Sequence, residues 1–504
     1  MRVKQKEQQL FCALIILLTL GMVAAGCSQK GIKGADTLEP PYEVFIENLT
    51  LGEDMPDLKA VEEAVNKITI PAINCKIRII NIPIANQKSA IRLMRAQKER
   101  IDLVNTGRTD TLADMVKDQL LLPLDELLEQ EGKTLLRMND DLLDACRVNE
   151  KIYAIPATSY ISKSVGFVYN AEMAEEYGIL MAPHPNAEEL EKIAEVLQGH
   201  GKYLIFSSDR FDSARLFTTL YPEFFSLSGN LYEGILSGKE NDYLVRNPYA
   251  TEEYKEYCQR IRSWVEKGWI PDQFLFSGLN GTDSFVRGDK FMTWSGVSPM
   301  EFALQSKGYP FRIGMVATGE AGITTQMVQE NGWGISSSSE NPEKAMQMLN
   351  FMYENADVAN LLMNGIEGKE YRKVSEHIIT YPEGQSSGDL KYRRDFTVFG
   401  DYRKIYQWEP MTEEDYQNSR VFYESDYSVS PYFGYIFDNR TVTKESDAVV
   451  EVLEDYLPAL ECGLLSDVPA AIDLLNQKLK EAGIERILAE NQRQLDVWLN
   501  REMS

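Results

Sequence analysis

Between residues 42 and 105, the spacing of apolar residues alternates between the pattern of a strand and the pattern of a helix. Residues 42–46 and 75–82 are runs of apolar and β-branched side chains, a pattern typical of strands. Residues 57–68 and 87–99 instead repeat apolar positions every three or four residues, which predicts amphipathic helices. Residues 101–105 are another strand-like run. Strands alternating with helices indicate an α/β unit with a largely parallel sheet.

The residues at the end of the run 101–105 are candidates for ligand contact. In open α/β sheets, ligands bind in the crevice outside the carboxyl ends of the strands. Asn105, Thr106 and Arg108 lie at such an end, and Arg108 could bind an acidic substituent. The alternatives are that Asn105 and Thr106 only terminate the strand, and that Arg108 is a solvated surface residue.

The later part of the chain predicts a second α/β block and a helical end. Strand-like residues 151–156 and 166–170 are joined by a polar stretch, and residues 380–442 are irregular and rich in Tyr, Gly and Asp. Asn341 followed by Pro342 predicts a helix start, as cap and first helical residue. Helices are predicted near residues 187–197, 251–267, 342–354, 467–482 and 484–499.

The amino terminus is predicted to be a secretory leader. Three basic residues precede an apolar run at 10–23, which is shorter than the about 20 residues that cross a bilayer. The Ala-Ala-Gly before Cys27 resembles the bacterial lipobox, so residues 1–26 are expected to be a lipoprotein signal peptide and Cys27 to carry the lipid, including palmitate. Ordinary cleavage near Ala25 is the alternative. Residues 27–40 are expected to be a flexible, lipid-anchored tether.

Composition narrows the classes of partner and chemistry. A 44% hydrophobic content with 10% aromatic residues is typical of a folded protein, and a formal charge of −25 disfavours nucleic acid. No cofactor or structural zinc is expected, because the cysteines of the body are scattered singletons without nearby histidines. A disulfide is permitted outside the cell, but buried, reduced packing residues are the favoured interpretation. These cysteines are Cys75, Cys146, Cys258 and Cys462.

The sequence contains no motif of an enzyme. The histidines at positions 184, 200 and 377 have no metal-ligand spacing, and there is no nucleophile elbow, phosphate loop or dinucleotide fingerprint. The chain is therefore predicted not to be an enzyme. A pair of carboxylates for glycoside hydrolysis remains open, because so acidic a chain always offers pairs.

Several segments together resemble the extracellular solute-binding lipoproteins of carbohydrate-type ABC importers. The segments that carry the likeness are residues 101–107, 122–128, 151–156, 166–170 and 285–296. Residues 331–346 and 360–371, and then 456–461 and 483–498, resemble the subgroup whose carboxyl-terminal region is a domain of unknown function. The resemblance extends over nearly the whole mature chain.

The resemblance implies a periplasmic-binding-protein-like fold, with two α/β lobes joined by a hinge around a ligand cleft and with a helical carboxyl-terminal extension. Lobe 1 is expected at residues 41–157 plus about 320–370, and lobe 2 at 158–319. Residues 371–504 are expected to be irregular and then helical, and to pack on the lobes. The crossings between the lobes would be near 157–164 and 318–332.

The resemblance also implies capture of an extracellular sugar or oligosaccharide and its delivery to permease subunits by a monomeric, membrane-anchored protein. Aromatic faces suit the apolar patches of sugars, so Trp294, Trp333, Tyr160 and Trp408 are candidate ligand contacts, although aromatic side chains are also common core residues. Two alternatives stay open: a surface glycoside hydrolase, and a sugar-sensing receptor with the same fold.

Overall fold

The computed structural model describes residues 39–139, 141–157, 165–204, 216–227, 230–238, 242–270, 285–299, 302, 305, 309–318, 322–424, 428–430 and 432–502. From Tyr42 onward the chain forms one compact unit with two large hydrophobic cores. We call the elements around the first core lobe 1 and those around the second lobe 2.

The strands are mostly short, and the two longest are neighbours in lobe 1. In chain order they are β1 (Tyr42–Thr50), β2 (Cys75–Pro83), β3 (Leu103–Thr106), β4 (Arg147–Val148), β5 (Lys151–Ile152), β6 (Ile155–Pro156), β7 (Val165–Asn170), β8 (Phe224–Ser226), β9 (Ile235–Ser237), β10 (Met292–Gly296), β11 (Ile313–Ala317), β12 (Gly322–Ile323), β13 (Gly332–Ile335), β14 (Arg372–Lys373), β15 (Ile378–Thr380), β16 (Gln407–Trp408) and β17 (Ser428–Val429).

The helices surround both cores and are longest near the carboxyl terminus. In chain order they are α1 (Leu58–Ile73), α2 (Gln87–Gln97), α3 (Leu112–Lys117), α4 (Asp125–Glu131), α5 (Lys133–Asn139), α6 (Ala171–Tyr177), α7 (Ala187–Gly199), α8 (Glu252–Glu266), α9 (Thr325–Gln329), α10 (Pro342–Glu354), α11 (Ala356–Asn364), α12 (Glu413–Glu424), α13 (Thr443–Glu461), α14 (Val468–Ala482) and α15 (Ile484–Glu502). None of these described helices has the length and apolar character needed to cross a membrane.

Lobe 1 is built on a five-stranded sheet in the order β2-β1-β3-β13-β6. The strand β1 runs parallel to β2 and β3, as the alternating pattern predicts, whereas β13 and β6 return antiparallel. Helix α10 packs on this sheet and starts as predicted, because the Asn341 side chain accepts a hydrogen bond from the Lys344 backbone N–H and Pro342 follows it. The α/β prediction for this region is confirmed.

Lobe 2 has a smaller, antiparallel sheet in the order β10-β7-β11. Its core combines Phe167 and Phe291 from this part of the chain with Trp264 of α8, and helix α7 contributes Leu190 and Leu197. The mixed α/β class that the sequence predicts therefore holds for both lobes.

The carboxyl-terminal region is divided between the two cores. Phe399 and Ile405 pack into the core of lobe 1, whereas Val449 of α13, Leu475 of α14 and Leu495 of α15 pack into that of lobe 2. The last three helices therefore contribute to the core of lobe 2.

Residues 380–442, which the sequence predicts to be irregular, include helix α12. Of the apolar residues of α12, Tyr416 packs with Ile378 and Met411 in a small separate cluster. Val421 of the same helix is 68% exposed. The apolar positions of α12 thus do not follow its buried face, so their pattern did not predict the helix.

Three of the four body cysteines are fully buried. Cys75, Cys146 and Cys258 are buried free thiols, and Cys462 is a half-buried free thiol. Burial raises the pKa of the Cys75 thiol to about 11 and that of the Cys146 thiol to about 12. These protonated thiols have the character of packing residues.

Candidate functional site

The carboxyl ends of β1, β2 and β3 lie at the side of the lobe 1 sheet from which the chain passes to lobe 2. At this side Thr106, the last residue of β3, pairs with Gly332, which also pairs with Pro156 at the end of β6. The segment that leaves lobe 1 after Pro156 and the segment that reaches the sheet again at Gly332 therefore both meet here. We call this end of the sheet edge 1.

The lobe 2 sheet receives the same two connections at one end. Val165, where β7 starts, is opposite Gly296 at the end of β10, and Gly166 is opposite Ala317 at the end of β11. We call this end edge 2. Residues 157–164 join edge 1 to edge 2, and a chain of that length spans at most about 30 Å. The two edges therefore bound the space between the lobes.

Edge 1 contains a network of buried polar side chains around Glu47 of β1. Its Oε2 atom accepts hydrogen bonds from the backbone N–H of Asn105 (2.6 Å) and from the Asn105 side chain (3.2 Å). Gln87 donates to the same Oε2 at 3.2 Å and to the Asn105 carbonyl at 3.1 Å. Gln87 also accepts a hydrogen bond from the Thr109 hydroxyl. This network connects β1, α2, β3 and the turn after β3.

Two further polar groups lie on the same edge. The Asn48 side chain donates to the Asn81 side chain at 2.9 Å. Thr106 is buried, and among the described residues its hydroxyl oxygen has no hydrogen-bond partner. Thr106 lies against Gly332, where an added Cβ would be 2.5 Å from the Thr106 hydroxyl oxygen. The glycine at position 332 therefore allows the close approach of β13 to β3.

A segment of the carboxyl-terminal region covers part of edge 1, and sequence reasoning missed it. The backbone N–H of Leu49 donates to the Thr397 hydroxyl at 2.7 Å, and that of Leu51 donates to Asp395 at 3.0 Å. Phe396 follows Asp395, and the guanidinium of Arg108 lies 5.6 Å from the centre of its ring. The structure thus adds an aromatic ring at this edge. No pattern in the sequence around Phe396 indicates it.

Trp294 is the candidate aromatic residue on edge 2. It is half-buried on β10, two residues before Gly296, and its indole N–H donates to the Thr219 hydroxyl at 3.1 Å. The neighbouring Ser295 hydroxyl accepts a hydrogen bond from Gln305 at 2.6 Å. Edge 2 therefore offers a fixed, partly exposed aromatic ring beside hydroxyl groups.

The other aromatic candidates have different surroundings. Trp333 is 1% exposed in the core of lobe 1, and its indole N–H donates to the Val398 carbonyl at 2.8 Å. In this conformation its ring has a packing role and no exposed face for a sugar. Trp408 is half-buried beside Tyr381, with ring centres 4.7 Å apart, and donates to Asn364 at 3.0 Å. Tyr160 and the lipidation candidate Cys27 lie outside the described residues.

The three histidines have separate surroundings, and His184 is the one that contacts edge 2. His200 stacks on Tyr177, His184 contacts the Ala317 carbonyl at 3.1 Å, and His377 pairs with Glu413 while stacking on Tyr416. Within the part of the chain that the structure describes, no three His, Cys, Asp or Glu side chains form a cluster that could hold a metal ion. The contacts that the described residues of edge 1 and edge 2 can make with a ligand are therefore hydrogen bonds and contacts with aromatic rings.

A junction below the two edges joins lobe 1, lobe 2 and the carboxyl-terminal region. Asn439 donates to Glu233 of lobe 2 at 3.2 Å and accepts from Lys117 of lobe 1 at 3.5 Å. A pocket lies here, and its lining includes Asp114, Glu233, Tyr435 and Asn439. The junction connects the lobes independently of the two strand connections.

The two α/β lobes, with polar side chains at the strand ends of one and a half-buried tryptophan at the strand end of the other, have the architecture of a two-lobed binding protein. Residues 72–359 match the bacterial extracellular solute-binding protein family, and residues 431–500 match a domain of unknown function, DUF3502. The first match spans more than half of the chain, so the chain belongs to this family. The predicted family and fold class are confirmed, and the protein is extracytoplasmic.

Relatives of the whole chain agree with this assignment. A carbohydrate ABC transporter substrate-binding protein of Streptococcus pneumoniae serotype 4 (strain ATCC BAA-334 / TIGR4) is 24% identical over 522 residues, which cover 99% of each chain. The crystal structure of the N-glycan transport solute-binding protein NgtS from Streptococcus pneumoniae has a TM-score of 0.77 at 22% identity, covering 92% of this chain and 100% of that one. The alginate-binding protein AlgQ2 has a TM-score of 0.60 at 17% identity, covering 91% and 98%.

Proposed function

We propose that this protein captures an extracellular oligosaccharide between edge 1 and edge 2 and delivers it to the permease of an ABC importer. The observation that carries the proposal is the composition of the two edges, with buried amide and hydroxyl groups on one and a half-exposed tryptophan on the other. Sugars need both kinds of contact, because their hydroxyls require hydrogen bonds and their C–H faces pack on aromatic rings.

The relatives support a sugar as the solute. NgtS, which shares the fold, has been crystallised in complex with Man5GlcNAc, and the relative from serotype 4 carries a carbohydrate transporter name. In our proposal, residues 41–157 plus about 320–370 form the body of lobe 1 and residues 158–319 form the body of lobe 2. Residues 371–504 pack on both bodies and add side chains to both cores. The proposed ligand contacts are Trp294 on lobe 2 and, for an acidic substituent, the exposed Arg108 on lobe 1. Asn105 and Thr106, which are buried in this conformation, form the wall of lobe 1 next to Arg108 and would contact a ligand only if that wall opened. Tyr160 and Trp408 are secondary candidates for longer ligands.

We further propose that residues 1–26 are a signal peptide and that lipid on Cys27 holds the protein, as a monomer, at the outer face of the cell membrane. The Ala-Ala-Gly sequence before Cys27 supports this. When the natural chain is expressed in its own type of host, we expect it in the membrane fraction. The Cys27→Ala variant should instead appear in the medium. Retention of the variant in the membrane fraction would contradict the anchor.

A solute-binding protein binds the glycan and leaves it intact, whereas a glycoside hydrolase cleaves it. We expect calorimetry of the purified chain with Man5GlcNAc to give saturable binding, and product analysis to recover the glycan intact. Trp294→Ala should weaken binding at least about tenfold, because it removes a ring at the centre of the proposed contact. Trp498→Ala, which alters another half-buried tryptophan far along α15, is the matched control and should retain the affinity. Release of shorter sugars would favour the hydrolase instead.

A sugar-sensing receptor would pass these binding tests too. Uptake separates the two, because only an importer component is required for accumulation of labelled glycan in the cell. Deletion of the gene should abolish accumulation, and reintroduction of the intact chain should restore it. Unchanged uptake together with a lost transcriptional response would favour the sensor.

A further inference from the structure

Glu47 is a buried carboxyl group at the centre of edge 1 with an unusual set of contacts. Its side chain is fully buried, and no charged group pairs with it among the described residues. All of the hydrogen bonds to its carboxyl group there come from the neutral groups of Asn105 and Gln87. Those bonds all reach Oε2. The other carboxyl oxygen, Oε1, is buried and has no hydrogen-bond partner among the described residues.

The protonation state of Glu47 changes what this network can do. An ionised carboxylate accepts hydrogen bonds that are roughly twice as strong as those of a neutral carbonyl. A proton on Oε1 would leave Oε2 as a neutral acceptor for Asn105 and Gln87, and would add a donor without a partner among the described groups. Through Gln87, whose side chain accepts from Thr109, the change would reach the turn that bears Arg108.

The surroundings of Glu47 bring the titration of its carboxyl group into the neutral pH range. Burial raises the pKa of Glu47 to about 7, and the hydrogen bonds from Asn105 and Gln87 oppose this rise only in part. The charged groups of the neighbouring elements are engaged elsewhere: Lys88 and Arg92 of α2 pair with Asp110, and the Arg108 guanidinium lies over Phe396. On β1 itself, Glu43 pairs with Lys76 and Arg78 near the opposite end of the strand.

We propose that Glu47 is a positioning residue for solute binding, and that its ionised form holds Asn105 and the Gln87–Thr109 link in place whereas its protonated form loosens them. The proposal rests on the proposed function, because edge 1 is taken as one wall of the solute site. Solute affinity is then higher above neutral pH than below it. Glu47 need not touch the solute, since it acts through its neighbours.

The first test measures the affinity for Man5GlcNAc, which carries no ionisable group, between pH 5.5 and pH 8.5. We expect binding by the natural chain to weaken about fivefold from pH 8.5 to pH 5.5, following the protonation of one group. Glu47→Gln should remove most of this pH dependence, and Glu47→Asp should retain it. Glu62→Gln is the matched control, because Glu62 is also buried but accepts from Ile79 in mid-strand. Parallel pH profiles for the natural chain and Glu47→Gln would overturn the proposal.

The second test needs no solute and separates this proposal from the proposed function. Hydrogen–deuterium exchange of residues 105–110, corrected for the intrinsic effect of pH, should be several-fold faster at pH 5.5 than at pH 8.5 in the natural chain, because the proposed loosening leaves Glu47 enclosed. Openings that expose Glu47 have the opposite pH dependence, since burial raises its pKa, so exchange in the core strands β1 and β2 serves as the internal reference. In Glu47→Gln it should depend little on pH. Absence of glycan binding at every pH would contradict the proposed function, while the exchange result would still decide the role of Glu47. Exchange that is independent of pH in the natural chain would overturn that role.

Discussion

Trp333 and Trp294 occupy comparable places in the two lobes, yet their surroundings differ. Each lies on a short strand near the connections between the sheets, and each has a glycine within two positions. Trp333 is enclosed by the core of lobe 1 and bonded to the Val398 carbonyl, whereas Trp294 is half-buried and bonded to the Thr219 hydroxyl. The tryptophan of edge 1 is therefore closed off inside a core, whereas the tryptophan of edge 2 keeps part of its surface accessible.

The largest expected effect is on the folding of lobe 1. Trp333→Ala should lower the free energy of unfolding by about 4 kcal/mol, because it empties a large, fully enclosed core site and removes a hydrogen bond. Trp294→Ala should lower it far less, because its ring is partly solvated. Denaturant unfolding followed by circular dichroism measures both. Equal losses of stability in the two variants would remove the distinction between the two tryptophans.

The next largest expected effect is the contribution of Glu47 to the pH dependence of the free energy of unfolding. The unfolded carboxyl of Glu47 ionises near pH 4.5 and the folded one near pH 7, so the folded protein binds more protons between these values and loses stability as the pH rises through them. The loss should approach about 3 kcal/mol above pH 7. Glu47→Gln should lack this component in unfolding experiments from pH 4 to pH 8. Identical pH profiles of stability would contradict a buried, titrating Glu47.

Two glycines test how closely each edge is packed. An added Cβ at Gly166 of edge 2 would lie 2.0 Å from the Val316 carbonyl oxygen, which is backbone and cannot rotate away. At Gly332 of edge 1 it would lie 2.5 Å from the buried Thr106 hydroxyl oxygen, which only a rotation of that side chain could move away, and 3.2 Å from the Ile155 carbonyl oxygen. Gly166→Ala should therefore cost about 2–3 kcal/mol and Gly332→Ala about 1 kcal/mol. Thermal unfolding would show which variant loses more stability. A larger loss in Gly332→Ala than in Gly166→Ala would contradict the tighter packing of edge 2.

The smallest expected effect concerns Arg108, which is exposed at the rim of edge 1. For a neutral glycan, Arg108→Ala should change the affinity by less than about twofold, because its guanidinium lies over Phe396 and retains contact with water. Calorimetry with a glycan that carries a carboxylate is the informative comparison. If Arg108 binds an acidic substituent, as its position at the end of β3 suggests, the loss for that ligand should be clearly larger than for the neutral one.

Local patterns predicted the strands and helices between Tyr42 and Thr106 well, because the helices there bury one face and the strands are runs of apolar and β-branched residues. The predicted strand at 75–82 is Cys75–Pro83 and the predicted helix at 87–99 is Gln87–Gln97. Asn105 and Thr106 were also placed correctly at the end of β3, because that end follows directly from the strand.

The groups that sequence reasoning missed depend on contacts between distant parts of the chain. Phe396 reaches edge 1 through hydrogen bonds between residues 49–51 and 395–397, more than 300 positions away. Glu47 gains its unusual character only when β1, β3 and α2 enclose it. The different surroundings of Trp333 and Trp294 have the same origin, since Val398 and Thr219 are remote in sequence from the rings they bind.

The division of the carboxyl-terminal region between the two cores has a consequence for how the protein is made. Lobe 2 contains residues from 167 to 316 together with residues from 432 to 495, so its interior cannot close until nearly the whole chain is available. Lobe 1 likewise waits for Phe399 and Ile405. Contacts between such distant segments slow folding. We therefore expect each core to close only after the last segments of the chain have joined it.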